Sequence, residues 1–524
     1  MERRAVLKGA AATAVLALPA VAQSTRTATL RLVPQSNLPT LDPMFSSDVV
    51  MNHGFHAFDT LYGTDSSGGV KPQMAEGHTV SDDGLVWRIQ LREGLMFHDG
   101  TPVRAIDCAA SLARWAKLDT FGLLLSNVVE RWGADGDHTI AIRLAKPFPR
   151  LLDAIGKASP RVAFMMPERL ARTSPLEAMT DVIGSGPYYF RSEEYVSGSR
   201  VVYERFDSYV PRKEAPDWTS GGKVAHFPRV EWHILADAAT ANAALRAGEV
   251  DWWELPLPDL YPSLRASRDI RLEVSNPGGH VSFMRLNHAQ PPFNDLRTRQ
   301  AVLAAVVQDD YMNAILGGDL NGWQQCRSAF PCGTPYEASD NGRLMPGDVT
   351  AGRVLLEGSG YQGQSVVVLN PIDNPLLAPL GDVTADLLKK LGMRVELATS
   401  DWATVVQRRA SREPVDRGGW SVLQSYAPAT AYANPAINPL VQGSGPKGWF
   451  GWWDNEEAQT LLHRWLDATD SDSRQGAARG LGRLALEQVA MIPLGQWFGR
   501  TAYRRSIEGV LQGGSPYPWN VRRA

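Results

Sequence analysis

The sequence predicts an α/β protein built of two lobes, and three observations predict it. The order strand, helix, strand occurs around residues 229–253 and again around residues 365–400, each a parallel α/β unit. The chain has 524 residues, too many for one core at roughly 150 residues per domain. Hydrophobic residues supply 44% and charged residues 21%, with no internal repeat and no low-complexity tract, which places the chain among globular proteins. A formal net charge of −3 argues against a nucleic-acid binder, which would carry a strong basic excess.

The chain opens on an expected export signal. "MERRAVLKGA" is short and basic through Arg3, Arg4 and Lys8. "AAATAVLALP" is an apolar core, and "AVA" places small residues before a cleavage point near Ala22. The paired Arg3 and Arg4 ahead of Val6, Leu7 and Lys8 resemble a twin-arginine signal, with an ordinary Sec signal as the alternative. Removing residues 1–22 takes away Arg3, Arg4 and Lys8 against Glu2, a net +2, so −3 becomes −5. No later apolar run approaches the roughly 20 residues of a membrane helix, and no cysteine follows the signal to carry a lipid. The mature protein is therefore expected to be soluble and outside the cytoplasm.

After the signal, "ATLRLV" (28–33) alternates as a first strand, and Pro34, Pro39 and Pro43 make "PQSNLPTLDP" a loop. "VVMNHGFHAFDTLYG" has apolar residues at helical spacing and is expected to stop at Gly63. "LVWRIQL" (85–91) and "HTIAIRL" (138–144) alternate as strands around a helix that holds Leu112 and Trp115. "GSGPYYF" and "RVVYERF" are neighbouring strands after a glycine turn. "RVEWHIL" (229–235), the alanine-faced helix in "DAATANAALRAGEVDWWEL" and the strand ending in Trp252 and Trp253 form the first parallel unit. "NDLRTRQAVLAAVV" is a helix with Asn294 as its expected cap. "SVVVLNP" (365–371), a helix ended near Gly392 and "RVELATS" form the second unit.

Catalytic motifs are missing. There is no G-x-S-x-G between a strand and a helix, no phosphate loop and no H-E-x-x-H. His53 and His56 are two histidines without further ligands, read as core or solvated side chains rather than a metal site. His98 and Asp99 in "FHDGTPVRAIDCAASLARW" read as turn residues ahead of a helix, because Asp99-Gly100 is a turn dipeptide. No catalytic residue, metal or cofactor is expected. Cys326 and Cys332 are near enough in sequence to close a disulfide in an oxidising compartment, and equally readable as free thiols. Cys108 reads as a buried thiol. "GWFGWWDN" (448–455), with Trp402, Trp420 and Tyr426 upstream, supplies aromatic rings suited to a core or to a small-molecule cleft.

Several stretches together resemble one family. "LPTLDP" (38–43), "FDTLYGTD" (58–65), "VKPQMAEGHTVSDDGLVWRIQLREGLMFHDGTPVRAIDCAASLARW" (70–115), "GSGPYYF", "LRAGEVDW", "PPFNDLRTRQAV" and "LLKKLGMRVEL" arrive in order and cover nearly the whole mature chain. They resemble the extracellular solute-binding proteins of ABC transporters, family 5, which include dipeptide, oligopeptide and nickel binders. The resemblance implies a fold like the type II periplasmic binding proteins: two α/β lobes, a hinge of two crossings, and an extra subdomain in the first lobe. The expected division is 23–65, 180–270 and 490–524 for the first lobe, 66–179 for the extra subdomain and 271–489 for the second lobe. It further implies a periplasmic monomer that closes on a small-molecule or peptide ligand and delivers it to an ABC permease in the inner membrane. A secreted α/β hydrolase and a solute sensor docking on a receptor remain the alternatives.

The resemblance also implies a site. Relatives that bind short peptides place an aspartate for the peptide amine just after a Gly-Trp segment. Here Ser421, Gln424, Ser425 and Tyr426 follow Trp420, and no acid appears before Asp454. The arginine that dipeptide binders present for the carboxylate is replaced in "LNPIDNP" by Asp373. A modified peptide, a sugar-like or another polar solute is therefore expected in place of a zwitterionic dipeptide. Trp402, Trp420, Gln424, Ser425 and Tyr426 are expected to read it, with Asn37 and Leu38 on the opposite wall and Asp373 meeting a cationic group.

Overall fold

The computed structural model describes residues 28–524 except 46, 175, 176, 178, 318, 320, 339 and 340. The export signal expected over residues 1–22 lies outside the described residues. The first lobe is a seven-stranded sheet in the order Tyr188–Phe190, Arg200–Arg205, Arg229–His233, Thr29–Val33, Trp252–Trp253, Arg500–Arg504, Ile270–Val274. Thr29–Val33 lies between two parallel neighbours, with Thr29 opposite Arg229 and Leu32 opposite Trp252. The helix Ala238–Ala247 makes the crossover. Asp237 caps it by accepting from the Thr240 amide, and Gly248 ends it at φ 77°, where a side chain would be strained. Its Ala241, Ala244 and Leu245 pack on Val33, Val250 and Trp253, so the alanine face is the buried face.

The second lobe is a six-stranded sheet in the order Trp323–Gln324, Ile492–Trp497, His280–Leu286, Val422–Pro428, Ser365–Pro371, Arg394–Ser400. Ser365–Pro371 runs parallel to Arg394–Ser400 in unbroken register, and the helix Ala378–Lys390 crosses between them. Val366, Val367, Val368 and Leu369 are all buried, which is why this strand reads as a continuous apolar run and not an alternating one.

The extra subdomain is a four-stranded antiparallel sheet: Ala75–Val80, Val86–Leu91, Thr139–Leu144, Val129–Ala134. Trp87, Ile89 and Leu91 face its core while Arg88 and Gln90 face water. The helix Ala105–Trp115 buries Cys108, Leu112 and Trp115 against it. Ahead of that helix, Asp99 accepts from both the amide and the hydroxyl of Thr101, and Gly100 turns at φ 80°. His98 bonds the Gly186 carbonyl at 3.1 Å and packs edge-on against Phe206. Arg104 lacks a capping oxygen, and Asp107 substitutes by accepting from the Arg104 amide at 3.0 Å.

The structure moves four boundaries. The strand Ile270–Val274 pairs with Arg500–Arg504 in the first lobe, and Ile492–Trp497 pairs with His280–Leu286 in the second. The two crossings therefore lie at residues 275–279 and 498–499, later than the divisions read at 271 and 490. The helix expected to reach Gly63 is Asp48–Ala57, because Asp59–Thr60 and Tyr62–Thr64 pair as strands with Phe164–Met165 and Val70–Pro72. The helix Leu296–Ala305 is capped by Asp295, not Asn294, since the Asp295 carboxylate accepts from the Thr298 amide at 2.8 Å.

Candidate functional site

In parallel α/β sheets a ligand binds beyond the carboxyl ends of the strands. The ends of Thr29–Val33 and Trp252–Trp253 in the first lobe and of Val422–Pro428 in the second meet at one cavity. On the first lobe, Gln35 follows the strand Thr29–Val33, Glu254 follows Trp252–Trp253, and Asp48 opens the helix Asp48–Ala57 beside them. On the second, Trp402 follows Arg394–Ser400, while Tyr426 and Pro428 end Val422–Pro428. Between the lobes is a narrow cavity of about 40 Å³. Gln35, Asp48, Glu254, Ser275, Asn276 and His280 line it, and residues 510–516 of the returning C-terminal segment cover it. The Gly513 amide ties that segment to the Ser275 carbonyl at 2.8 Å.

The first-lobe wall is acidic. Glu254 accepts from the Gln35 amide at 2.8 Å and from Asn52 Nδ2 at 2.9 Å. The Gln35 side chain also bonds Asp48. Burial pushes the Asp48 carboxyl up to about 6, and burial together with the Asp48 charge pushes Glu254 up to about 7. Both side chains are walled by protein yet keep some accessible surface, and that surface belongs to the cavity.

The second-lobe wall is aromatic. His280 stacks on Trp497 with ring centroids 4.4 Å apart, and Tyr426 meets Trp497 edge-on at 5.2 Å. Burial lowers His280 to about 4, so the imidazole is neutral. Tyr426 is held protonated by burial and by the charges of Asp48 and Glu254. The Arg409 guanidinium lies over Trp402 at 5.6 Å and Phe450 at 4.8 Å. Burial, and less strongly the Asp48 charge, raise the Tyr432 hydroxyl, while the Arg409 charge lowers it. Among the described residues, His280 Nδ1, Asn52 Oδ1, Arg409 Nε and both amide atoms of Gln424 are buried without a hydrogen-bond partner.

The structure distributes the sequence-expected residues unevenly. Trp402 and Tyr426 lie near the carboxyl ends of their strands in the second sheet, whereas Gln424 is buried in mid-strand opposite Met284, and none of the three lines the cavity. Ser425 points to the opposite sheet face from its neighbours on the strand. Trp420 is fully buried beneath the site, against Trp452, and donates from Nε1 to the Arg409 carbonyl at 3.0 Å. Asn37 is exposed and accepts from the Gly198 amide, while Leu38 is in the first-lobe core. Asp373 is exposed and accepts from the Trp402 amide at 2.8 Å, at the start of that helix. Cys326 and Cys332 form a disulfide, and Cys108 is a buried free thiol. His53 and His56 sit in the first-lobe core, bonded to Tyr203 and to the Asn52 carbonyl.

Asp48, Glu254, His280 and Arg409 were not legible as site residues. A carboxylate directly after a short parallel strand, as Glu254 follows Trp252–Trp253, was the one available signal. The other three are brought in from distant segments.

The family described as bacterial extracellular solute-binding proteins, family 5 (middle) matches residues 69–443. A probable peptide ABC transporter periplasmic-binding protein, y4tO of Sinorhizobium fredii, is 34% identical over 534 residues, spanning 100% of both chains. The glutathione-binding protein GsiB of Shigella flexneri is 24% identical over 88% of this chain and 87% of its own. The fold matches a dipeptide-binding protein of Pseudoalteromonas sp. SM9913 in complex with Met-Leu, with a TM-score of 0.78 at 20% identity, over 95% of this chain and 100% of that one. With the family match spanning most of the chain and one relative matched end to end, the chain belongs to the bacterial extracellular solute-binding proteins of family 5.

Proposed function

We propose that this protein is the periplasmic solute-capturing subunit of an ABC importer. It closes its lobes on a small polar, peptide-like solute and hands it to an inner-membrane permease. The observation that carries this reading is the cavity between the lobes, lined by Gln35, Asp48, Glu254, Ser275, Asn276 and His280, in which His280 Nδ1 is buried without a hydrogen-bond partner among the described residues. An unsatisfied buried polar atom costs about 1–3 kcal/mol, and a polar ligand satisfies it. The two crossings at residues 275–279 and 498–499 are short and adjacent, the arrangement hinge closure needs. On the second lobe, Trp402 and Tyr426 contact the solute when the lobes close.

Small-angle scattering and thermal melting of the mature chain test this. With a bound solute, the radius of gyration falls and Tm rises, and no product forms. Trp402→Ala and Tyr426→Ala weaken binding. Turnover of any solute, or unchanged affinity in both variants, overturns the reading.

A further inference from the structure

On the solute-capture reading above, the first-lobe wall sets the charge of what is captured. We infer that this wall takes a cationic nitrogen group, an ammonium or a guanidinium, and that Asp48 and Glu254 hold it.

Both carboxylates line one cavity, and no lysine or arginine is among its lining residues. Among the described residues neither has a salt-bridge partner, whereas Asp42, Asp59 and Asp119, buried elsewhere, are each paired with a cation at 2.7–2.9 Å. Burial raises both carboxyls, and the Asp48 charge adds to the rise at Glu254, so each ionised carboxylate is disfavoured while no cation is beside it. A cation would relieve the repulsion. The hydrogen bonds they do receive, from Gln35 and Asn52, come from neutral donors and occupy only part of their acceptor capacity.

A second observation points to a ligand at the same place. His280 is 8% exposed and lines this cavity, and its Nδ1 has no partner among the described residues. Asn52 is 2% exposed, and while its amide donates to Glu254 its Oδ1 is left without a donor. Asp48 and Glu254 thus present acceptors to the cavity, and a donor with several N–H groups is what they lack. Trp252, in the cavity wall, offers an aromatic ring, which favours a cation further. Asp373, the acid expected to meet such a group, is on the surface beside the Trp402 amide instead.

The test uses the mature chain purified from its own host, with retained solute identified by native mass spectrometry. Stripped protein is then offered the low-molecular-weight fraction of a host-cell extract. One portion is untreated; in the other, amines are acetylated and guanidinium groups are blocked with phenylglyoxal. The expected result is a retained mass that carries a basic nitrogen and is captured from the untreated fraction only. Its affinity should fall tenfold to about a hundredfold in Asp48→Asn/Glu254→Gln. Capture from the blocked fraction, a retained solute without basic nitrogen, or affinity within twofold in the double variant overturns the inference and leaves solute capture standing. If no mass is retained from either fraction, the solute-capture reading fails and the inference with it. Should the double variant not fold, the two fractions still decide.

Discussion

His280 and Trp497 stack face to face, 4.4 Å apart at 17°, where the chain passes between the lobes. His280 is the first residue of the strand that enters the second lobe, and Trp497 is the last residue of the strand that leaves it. The stack pins the two crossings side by side, and its His280 lines the cavity. Trp497 also donates from Nε1 to the Ser282 hydroxyl at 3.1 Å.

Trp497→Ala is expected to cost about 3–5 kcal/mol, the usual loss for a buried tryptophan, read as a lower denaturant midpoint. Trp497→Phe keeps the stack and should lose less. A full-cost effect from Phe would mean that the indole hydrogen bond, and not the stacking, holds the hinge.

Asp42, in the opening loop, and Arg114, in the subdomain helix, form a fully buried ion pair at 2.7 Å, and Asp42 also accepts from the Met179 amide. This pair fastens the subdomain to the first lobe. Asp42→Asn leaves a buried guanidinium uncompensated and should cost about 3–5 kcal/mol in thermal or urea unfolding. Replacing both residues by apolar ones of similar volume should cost less than Asp42→Asn alone.

Burial lowers His98 to about 4 from its ordinary 6.5. A depressed histidine contributes stability that is fully present above pH 6.5 and is lost as pH falls toward 4, on the order of 3 kcal/mol. His53 has the same shift and the same sign. His98→Gln keeps a donor for the Gly186 carbonyl and removes the titration. Its unfolding free energy should therefore fall less steeply than wild type between pH 6.5 and pH 4.

Asp48 and Glu254 act in the opposite sense. Their folded values, about 6 and about 7, lie above the ordinary 3.8 and 4.5. Their contribution is fully present below about pH 4 and is lost as pH rises through 6 to 7. Beside them are neutral His280 and Glu273 on the same cavity, with Tyr426 near enough for both charges to act on its hydroxyl. In the empty protein, Asp48→Asn/Glu254→Gln should match wild type near pH 4 and exceed it in Tm at pH 8. A Tm difference that does not change with pH would show that the pair does not titrate in this range.

The Cys326–Cys332 loop is tied to the hinge strand, because Gln496 accepts from the Cys332 amide at 2.8 Å. Cys326→Ser/Cys332→Ser, or reduction, should lower stability by about 2 kcal/mol, measured as a shift in the denaturation midpoint.

The sequence by itself determined the two α/β units, a subdomain of strands around a helix and the His98–Gly100 turn, while the antiparallel pairing of that subdomain came from the structure. These rest on local rules: period-2 alternation at Trp87, Ile89 and Leu91, the alanine face of Ala238–Ala247, and glycines that end helices at positive φ. The lobe crossings escaped it because strand membership depends on which strands pair, and Ile492–Trp497 looks the same whether it pairs with His280–Leu286 or with the first sheet. Only the tertiary structure decided the cleft. Trp420 and Leu38 read as aromatic and apolar lining, but packing buried them below the surface, and Asp373 was taken up by the backbone of Trp402. Asp48 and Glu254 come from a helix start and a strand end more than 200 residues apart, and folding joins them through Gln35 and Asn52. Local pattern is a property of neighbours along the chain. A binding site is a property of neighbours in space, and its charge state comes from a burial that no single segment encodes.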